Sequence, residues 1–298
     1  MTPQIDAAYT WVDGTDPSFL EEARRHSQAP QDLNPERFRD PYDLLRYSLR
    51  SLEANAPWLG RVFLLTRRAQ APAWLKRDHP RLRLVHHDEV APERGMLPTF
   101  NSNVIESLLH RLPGVSEHFV YMNDDYFLCS RVPREAFYAP DGRIRVFGTL
   151  VGEHIRGRVY ERQLLSFGLV EHGPVLIDRA EWQRMQEDAA DEMAKLHLHR
   201  FRQGDDLRPD RLYRWHMLSR RRESARAEPF WRYLRNAAFH KVTPGVAGQR
   251  RALGAIARRP PWFLCLNDDL GPGADPEVVE AVRAFLRELF PRPSSFEA

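Results

Sequence analysis

Residues 119–127, Phe119-Val120-Tyr121-Met122-Asn123-Asp124-Asp125-Tyr126-Phe127, begin as an apolar strand and run into an Asn-Asp-Asp cluster. In open α/β folds ligands sit at the carboxyl ends of the strands. Two adjacent carboxylates and an amide at such an end can hold a hard divalent cation against a phosphate. Asn and Asp also favour turns for local reasons, so one such cluster decides little. The same design recurs as Trp262-Phe263-Leu264-Cys265-Leu266-Asn267-Asp268-Asp269. Two apolar runs with the same acidic ending point to function rather than to two chance turns.

Composition narrows what that site serves. The chain has 298 residues, of which 42% are hydrophobic and 29% charged, enough for one large core. A net charge of only +3 is too small for a polyanion footprint, which argues against nucleic-acid binding. Three of the 44 basic residues are lysine (Lys76, Lys195 and Lys241), so the other 41 are arginine, suited to bidentate contact with phosphate. The run Arg220-Arg221-Arg222 reads as a solvated face, with anionic lipid headgroups as the other reading and peripheral membrane contact through 220–235 left open. Cys129 and Cys265 give no disulfide framework, fit a reducing compartment and read as buried, inert thiols. No apolar run reaches the length of a membrane span, and no secretory signal opens the chain, so a cytoplasmic location, with a place at the inner face of the membrane open, is the expectation.

The rest of the chain is α/β in pattern. Strands are expected at Ile5–Val12, Arg61–Thr66 and Leu82–His87, the first ending in the turn Asp13-Gly14-Thr15-Asp16-Pro17. Residues 21–36 read as loop. A helix runs from Pro41 to Asn55, with Asp40 as its cap and Leu45, Leu49 and Leu52 on its core face. Trp74-Leu75 suggests a short helix, and strand–helix–strand spacing implies parallel pairing with right-handed crossovers. A helix over Asn103–Leu112 carries Glu106 off its apolar face, either to the surface or into a site. Ile144–Val151 reads as strand and Gly152–Arg158 as loop. Helices follow at Arg179–Met193, Asp210–Arg221 and Glu228–Ala237, and a last one is capped by Asp275. This is one domain, 1–298, with a core of 1–150 and 260–298 and a helical elaboration over about 150–260.

Four blocks of these residues together resemble the Stealth family. They are Ile5 to Asp16; Arg37-Phe38-Arg39-Asp40 through Tyr47-Ser48-Leu49-Arg50-Ser51 and Leu97-Pro98-Thr99-Phe100-Asn101-Ser102 to Asn123-Asp124-Asp125; His172-Gly173-Pro174 to His199-Arg200-Phe201-Arg202 and Asp205-Asp206; and Leu264 to Asp269. The third block departs from the pattern at Gly173, where a larger residue is expected. Members of the family include bacterial capsule polymerases and the lysosomal-enzyme N-acetylglucosamine-1-phosphotransferase.

The resemblance implies a nucleotide-sugar-transferase fold of the GT-A or Rossmann-like kind, with a mostly parallel sheet. It also implies transfer of sugar-1-phosphate from a UDP-sugar, a UDP-hexose or UDP-N-acetylhexosamine, to a glycan hydroxyl, with release of UMP, in capsular or exopolysaccharide synthesis. On this reading Asp125, Asn267 and Asp268 hold Mg²⁺ or Mn²⁺, with Asp124 and Asp269 nearby. Arg202 forks onto phosphoryl oxygens. His172 is general base or phosphate donor. Glu106 orients the acceptor hydroxyl or shares the base role. Trp11, Val12, Asp13, Gly14 and Asp16 hold the uridine side, and Asp40 and Asn101 are candidates for the sugar pocket. Two other functions share these features: a metal-dependent glycosyltransferase that releases UDP, and a binding protein without turnover.

Overall fold

The computed structural model describes residues 3–34, 39–147, 172–271 and 273–298. The expected strand extension 148–151, the loop 152–158, and Arg37 and Phe38 lie outside the described residues.

The core is a five-stranded sheet built from β1 (Asp6–Thr10), β2 (Val62–Thr66), β3 (Leu82–His86), β4 (His118–Asn123) and β7 (Val175–Asp178). Its order is β3-β2-β1-β4-β7. The first four strands pair in parallel, and β7 closes the edge antiparallel to β4. Strands β1, β2 and β4 are buried along almost their whole length, as a sheet covered on both faces requires.

A second sheet forms from β5 (Tyr126–Leu128), β9 (Ala237–Val242) and β10 (Phe263–Asp268), in the order β5-β10-β9. The chain leaves β4 at Asn123, turns at Asp124-Asp125 and enters β5, which pairs with β10 rather than with β4. The first acidic cluster is therefore the corner between the sheets. The antiparallel register Cys265↔Tyr126, continued by the hydrogen bond from the Leu266 N–H to the Asp125 carbonyl at 3.0 Å, carries the second cluster to that corner.

Helix α1 (Pro17–His26) falls where a loop was expected. Asp16 caps it, Pro17 opens it, and only Phe19 and Ala23 are buried, too short a stripe to read as periodicity. Helix α2 runs Leu44–Asn55, starting three residues later than expected, because Asp40 binds the N–H groups of Tyr42 and Leu44 from outside the helix. Trp74-Leu75 is not helical: Leu75 bridges to Glu297, and the Lys76 and Ala298 amides bond to Phe296 and Trp74. After the single turn α3 (His87–Val90), helix α4 (Ser102–Ser107) ends early, before a 3₁₀ turn at Leu109–Arg111.

The stretch read as a helical elaboration holds α5 (Arg179–Asp188), α6 (Ala190–Leu198), α7 (Pro209–Arg220), α8 (Phe230–Leu234) and α9 (Val246–Arg258). It also supplies β7 and β9 to the two sheets, and β8 (Ala225–Glu228), which pairs with β6 (Ile144–Phe147). β9 is a partly exposed edge with mixed polarity, which hid it among helical signals. Helix α10 (Pro276–Leu289), capped by Asp275, is as the sequence predicts.

Candidate active site

The corner between the sheets opens into a cavity of about 490 Å³. Its wall takes Trp11 and Val12 after β1, Asp40 before α2, Asn101 and Glu106 at the two ends of α4, Asp124 and Asp125 after β4, His172 and Gly173 before β7, Arg202 after α6, and Asn267 and Asp268 at the end of β10. Residues 257 positions apart in the chain (11 to 268) thus meet at the carboxyl ends of strands, where an α/β fold places its ligands.

Asp13, Gly14 and Asp16 are not on that wall. Asp13 Oδ1 accepts from the Thr15 amide at 2.8 Å and Thr15 Oγ1 at 2.7 Å. Asp16 caps α1, and Gln70 staples the turn through Asp13 and Asp16. Hydrogen bonds from Gln70 and Ser18 hold the Asp16 carboxyl down at about 2. These three residues shape the loop that presents Trp11 and Val12. Asn101 is similarly spent: its Oδ1 caps α4, and its Nδ2 donates to Asp206 at 2.6 Å and to the His199 carbonyl at 3.2 Å. It ties the loop carrying Arg202 to α4, and Arg202 Nη2 donates in turn to Ser102 Oγ.

Six carboxyls line the cavity, and four of them are pushed up. Burial, then the neighbouring Asp124 charge, pushes Asp40 up to about 7, although two backbone amides pull the other way. Burial and Asp125 push Asp124 up to about 7. Burial pushes Asp125 up to about 6, opposed by the thiol of Cys265, which donates to its Oδ2 at 3.3 Å. Burial, then Asp210, pushes Glu106 up to about 8 against the opposing charges of Arg202 and Arg208. Desolvated like charges facing one cavity are the pattern of a functional site.

Among the described residues, Asp125 Oδ1 is buried without a hydrogen-bond partner. An orphaned carboxylate oxygen beside two further acids is what a divalent cation would satisfy. Asn267, on the same wall, adds a hard oxygen donor. Asp268 departs from the expected ligand set. Arg39 Nε and Nη2 fork onto its two oxygens at 2.8 and 2.9 Å, and Oδ1 also accepts from the Leu270 amide. Among the described residues no group of three or more His, Cys, Asp or Glu is arranged to hold a metal. The orphaned Asp125 oxygen and the Asn267 amide are the donors that would suit a cation, with Asp268 engaged by Arg39.

His172 takes a left-handed backbone, φ 56°, and its ring lies 4.7 Å from that of Phe239. Gly173 is small because a Cβ there would stand 1.8 Å from the Tyr233 hydroxyl. Arg39, Asp210, Arg208 and Tyr121 also line the cavity and were given no role from the sequence. Asp210 follows Pro209 in the first turn of α7, where an acid looks like an ordinary dipole-favoured residue. In the arginine run, Arg220 pairs with Asp188, and Arg221 pairs with the buried Glu181 and the exposed Glu223. No helix among the described residues is long and apolar enough to cross a membrane.

Residues 37–146 match conserved region 2 of Stealth proteins, and residues 255–298 match their conserved region 4. Over 98% of the chain, it is 34% identical to an exopolysaccharide phosphotransferase of Streptomyces coelicolor and 33% identical to the exopolysaccharide phosphotransferase CpsY of Mycobacterium tuberculosis. It spans 51% and 58% of those proteins' lengths. In fold it is similar to the galactosyltransferase LgtC, solved with donor and acceptor sugar analogs, with a TM-score of 0.50 and 13% identity over 98% of this chain and 97% of that one. The sheet order, the acidic corner and these matches agree: the chain belongs to the Stealth family, on a GT-A-like α/β fold.

Proposed function

We propose that this chain transfers a sugar-1-phosphate from a UDP-sugar to a hydroxyl of a glycan acceptor in exopolysaccharide synthesis. The observation that carries this is the convergence of Asp125, Arg202, His172 and Glu106 on one cavity in a chain similar to exopolysaccharide phosphotransferases. The acceptor oxygen forms a bond to the phosphorus next to the sugar. The bond from that phosphorus to the bridging oxygen breaks, and UMP departs with the bond's electron pair. The hydroxyl proton goes to His172, an imidazole on the cavity wall. Burial and the Asp210 charge raise the Glu106 carboxyl to about 8, so this reading gives the base role to His172.

Catalysis of such a step is mainly positioning and electrostatic stabilisation. Arg202, fixed by Ser102, meets the phosphoryl oxygens. Asp125 and Asn267 would hold Mg²⁺ or Mn²⁺, which when bound neutralises charge on the diphosphate. Trp11 and Val12 border the nucleoside side, and Asp40 and Asp124 face the sugar.

The likeness to a galactosyltransferase fold supports a second reading, glycosyl transfer with release of UDP. The identity of the nucleotide separates the two. The protein is incubated with Mn²⁺, a panel of UDP-sugars and short glycan acceptors, and UMP is separated from UDP. Acceptor-dependent UMP supports phosphate transfer, and UDP alone overturns it.

A further inference from the structure

Glu106 and Asp210 are the two most enclosed acids of the cavity wall, 7% and 8% exposed, and the scheme above uses neither. They come from different elements. Glu106 lies in the last turn of α4 and Asp210 in the first turn of α7, and these helices pack together. A buried carboxylate beside a second one is costly unless one of them keeps a proton.

The groups facing Glu106 are few. Arg208 and Asp210 come from the start of α7, with the Arg208 guanidinium 3.9 Å from the Asp210 carboxylate. Arg202 comes from the loop after α6. Tyr121 of β4 faces Glu106, with its hydroxyl on Asn123 Oδ1 and 3.1 Å from Thr10 Oγ1 of β1. His197 of α6 bonds to Ser107, the next residue of α4, at 2.9 Å. Two arginines would ionise Glu106. Burial and the Asp210 charge outweigh them.

We propose that Asp210 is a positioning residue that acts through Glu106: the two carboxyls form a dyad in which Glu106 retains a proton and donates it as a hydrogen bond to an oxygen of the transferring phosphate. No proton is transferred by the dyad, and the hydroxyl proton still goes to His172. The naming of that oxygen rests on the phosphate-transfer reading, but the proton on Glu106 does not. A protonated carboxyl held out of water is a strong donor, and it strengthens as charge builds on the oxygen it faces.

The test compares wild type, Asp210→Asn and Glu106→Gln of the full chain across pH, following consumption of a UDP-sugar whichever nucleotide appears. Wild-type turnover should fall as pH rises through about 8. Removing the Asp210 charge weakens the hold on the proton, so this limb should move down by about one pH unit in Asp210→Asn. Glu106→Gln keeps a donor that does not titrate, so it should retain part of the activity and lose the limb. A limb unmoved in folded Asp210→Asn, or moved upward, overturns the dyad. Release of UDP with the limb still shifted overturns only the phosphate-transfer reading.

Thermal unfolding of the same proteins gives a readout without substrate. Folded Glu106 binds its proton more tightly than the unfolded chain does. Relative to Glu106→Gln, wild type should therefore lose stability as pH rises from about 4.5 to about 8. In Asp210→Asn this window should close at lower pH, and an unchanged window overturns the proposal.

Discussion

Arg39 and Asp268 clasp one another across the mouth of the second acidic cluster. The two paired contacts are 2.8 and 2.9 Å, and Arg39 Nη1 also donates to the Gly271 carbonyl at 2.7 Å. Both side chains are largely buried. The clasp ties the segment before α2 to the end of β10, closing one side of the cavity. Removing one partner of a buried pair leaves an uncompensated charge, at a cost of roughly 3–5 kcal/mol. Asp268→Asn or Arg39→Ala should each lower the melting temperature. Arg39→Met with Asp268→Leu should recover stability without recovering turnover. If the single variants melt like wild type, the clasp is not structural.

Gly173 sets the approach of His172. The Tyr233 hydroxyl fills the place of a Cβ. Gly173→Ala should destabilise by about 1–3 kcal/mol, the range for overpacking, and should lower kcat by displacing His172. In a Tyr233→Phe background the nearest atom left is the ring carbon, 3.0 Å away, and much of both losses should return. Melting curves and kcat for the two single variants and the double variant check this.

Acid should loosen the carboxyl-terminal segment. Burial alone would raise the Glu297 carboxyl, but hydrogen bonds from Arg50, Ser294 and Arg46 outweigh it and hold the group down at about 2. Its folded-state value lies below the ordinary 4.5, so its contribution is complete above about pH 4.5 and lost as pH falls toward about 2. Melting temperatures of wild type and Glu297→Gln should converge over that window and separate above it. A constant gap would contradict the assignment.

His172→Asn should lower transfer by roughly 10²–10⁴, the usual worth of a positioned base, with an unchanged melting temperature. Turnover near the wild-type rate in that variant would remove His172 from the base role.

The strands of the central sheet were legible because β1, β2 and β4 are continuous apolar runs, and the two acidic clusters because each interrupts such a run at its end. That the clusters meet follows in the sequence only from the family resemblance; what makes them meet is the β5·β10 pairing, a register no single segment displays. Asp13 and Asp16 look like ligands in a strand-end turn, yet their oxygens are consumed by Thr15, Ser18 and Gln70, the last 54 residues beyond Asp16. Asp210 was missed for the opposite reason. Its helix-start context explains it fully, and only the packing of α7 on α4 brings it to Glu106. Cys265, read as an inert thiol, donates to Asp125 because antiparallel pairing sets it beside that corner.

The most direct measurement labels the phosphorus next to the sugar in a UDP-sugar and follows it with wild type and His172→Asn. Sugar-phosphate transfer sends the label into the acceptor glycan as a phosphodiester, with unlabelled UMP released. If the label stays with the nucleotide as UDP while the sugar reaches the acceptor, the central claim is contradicted.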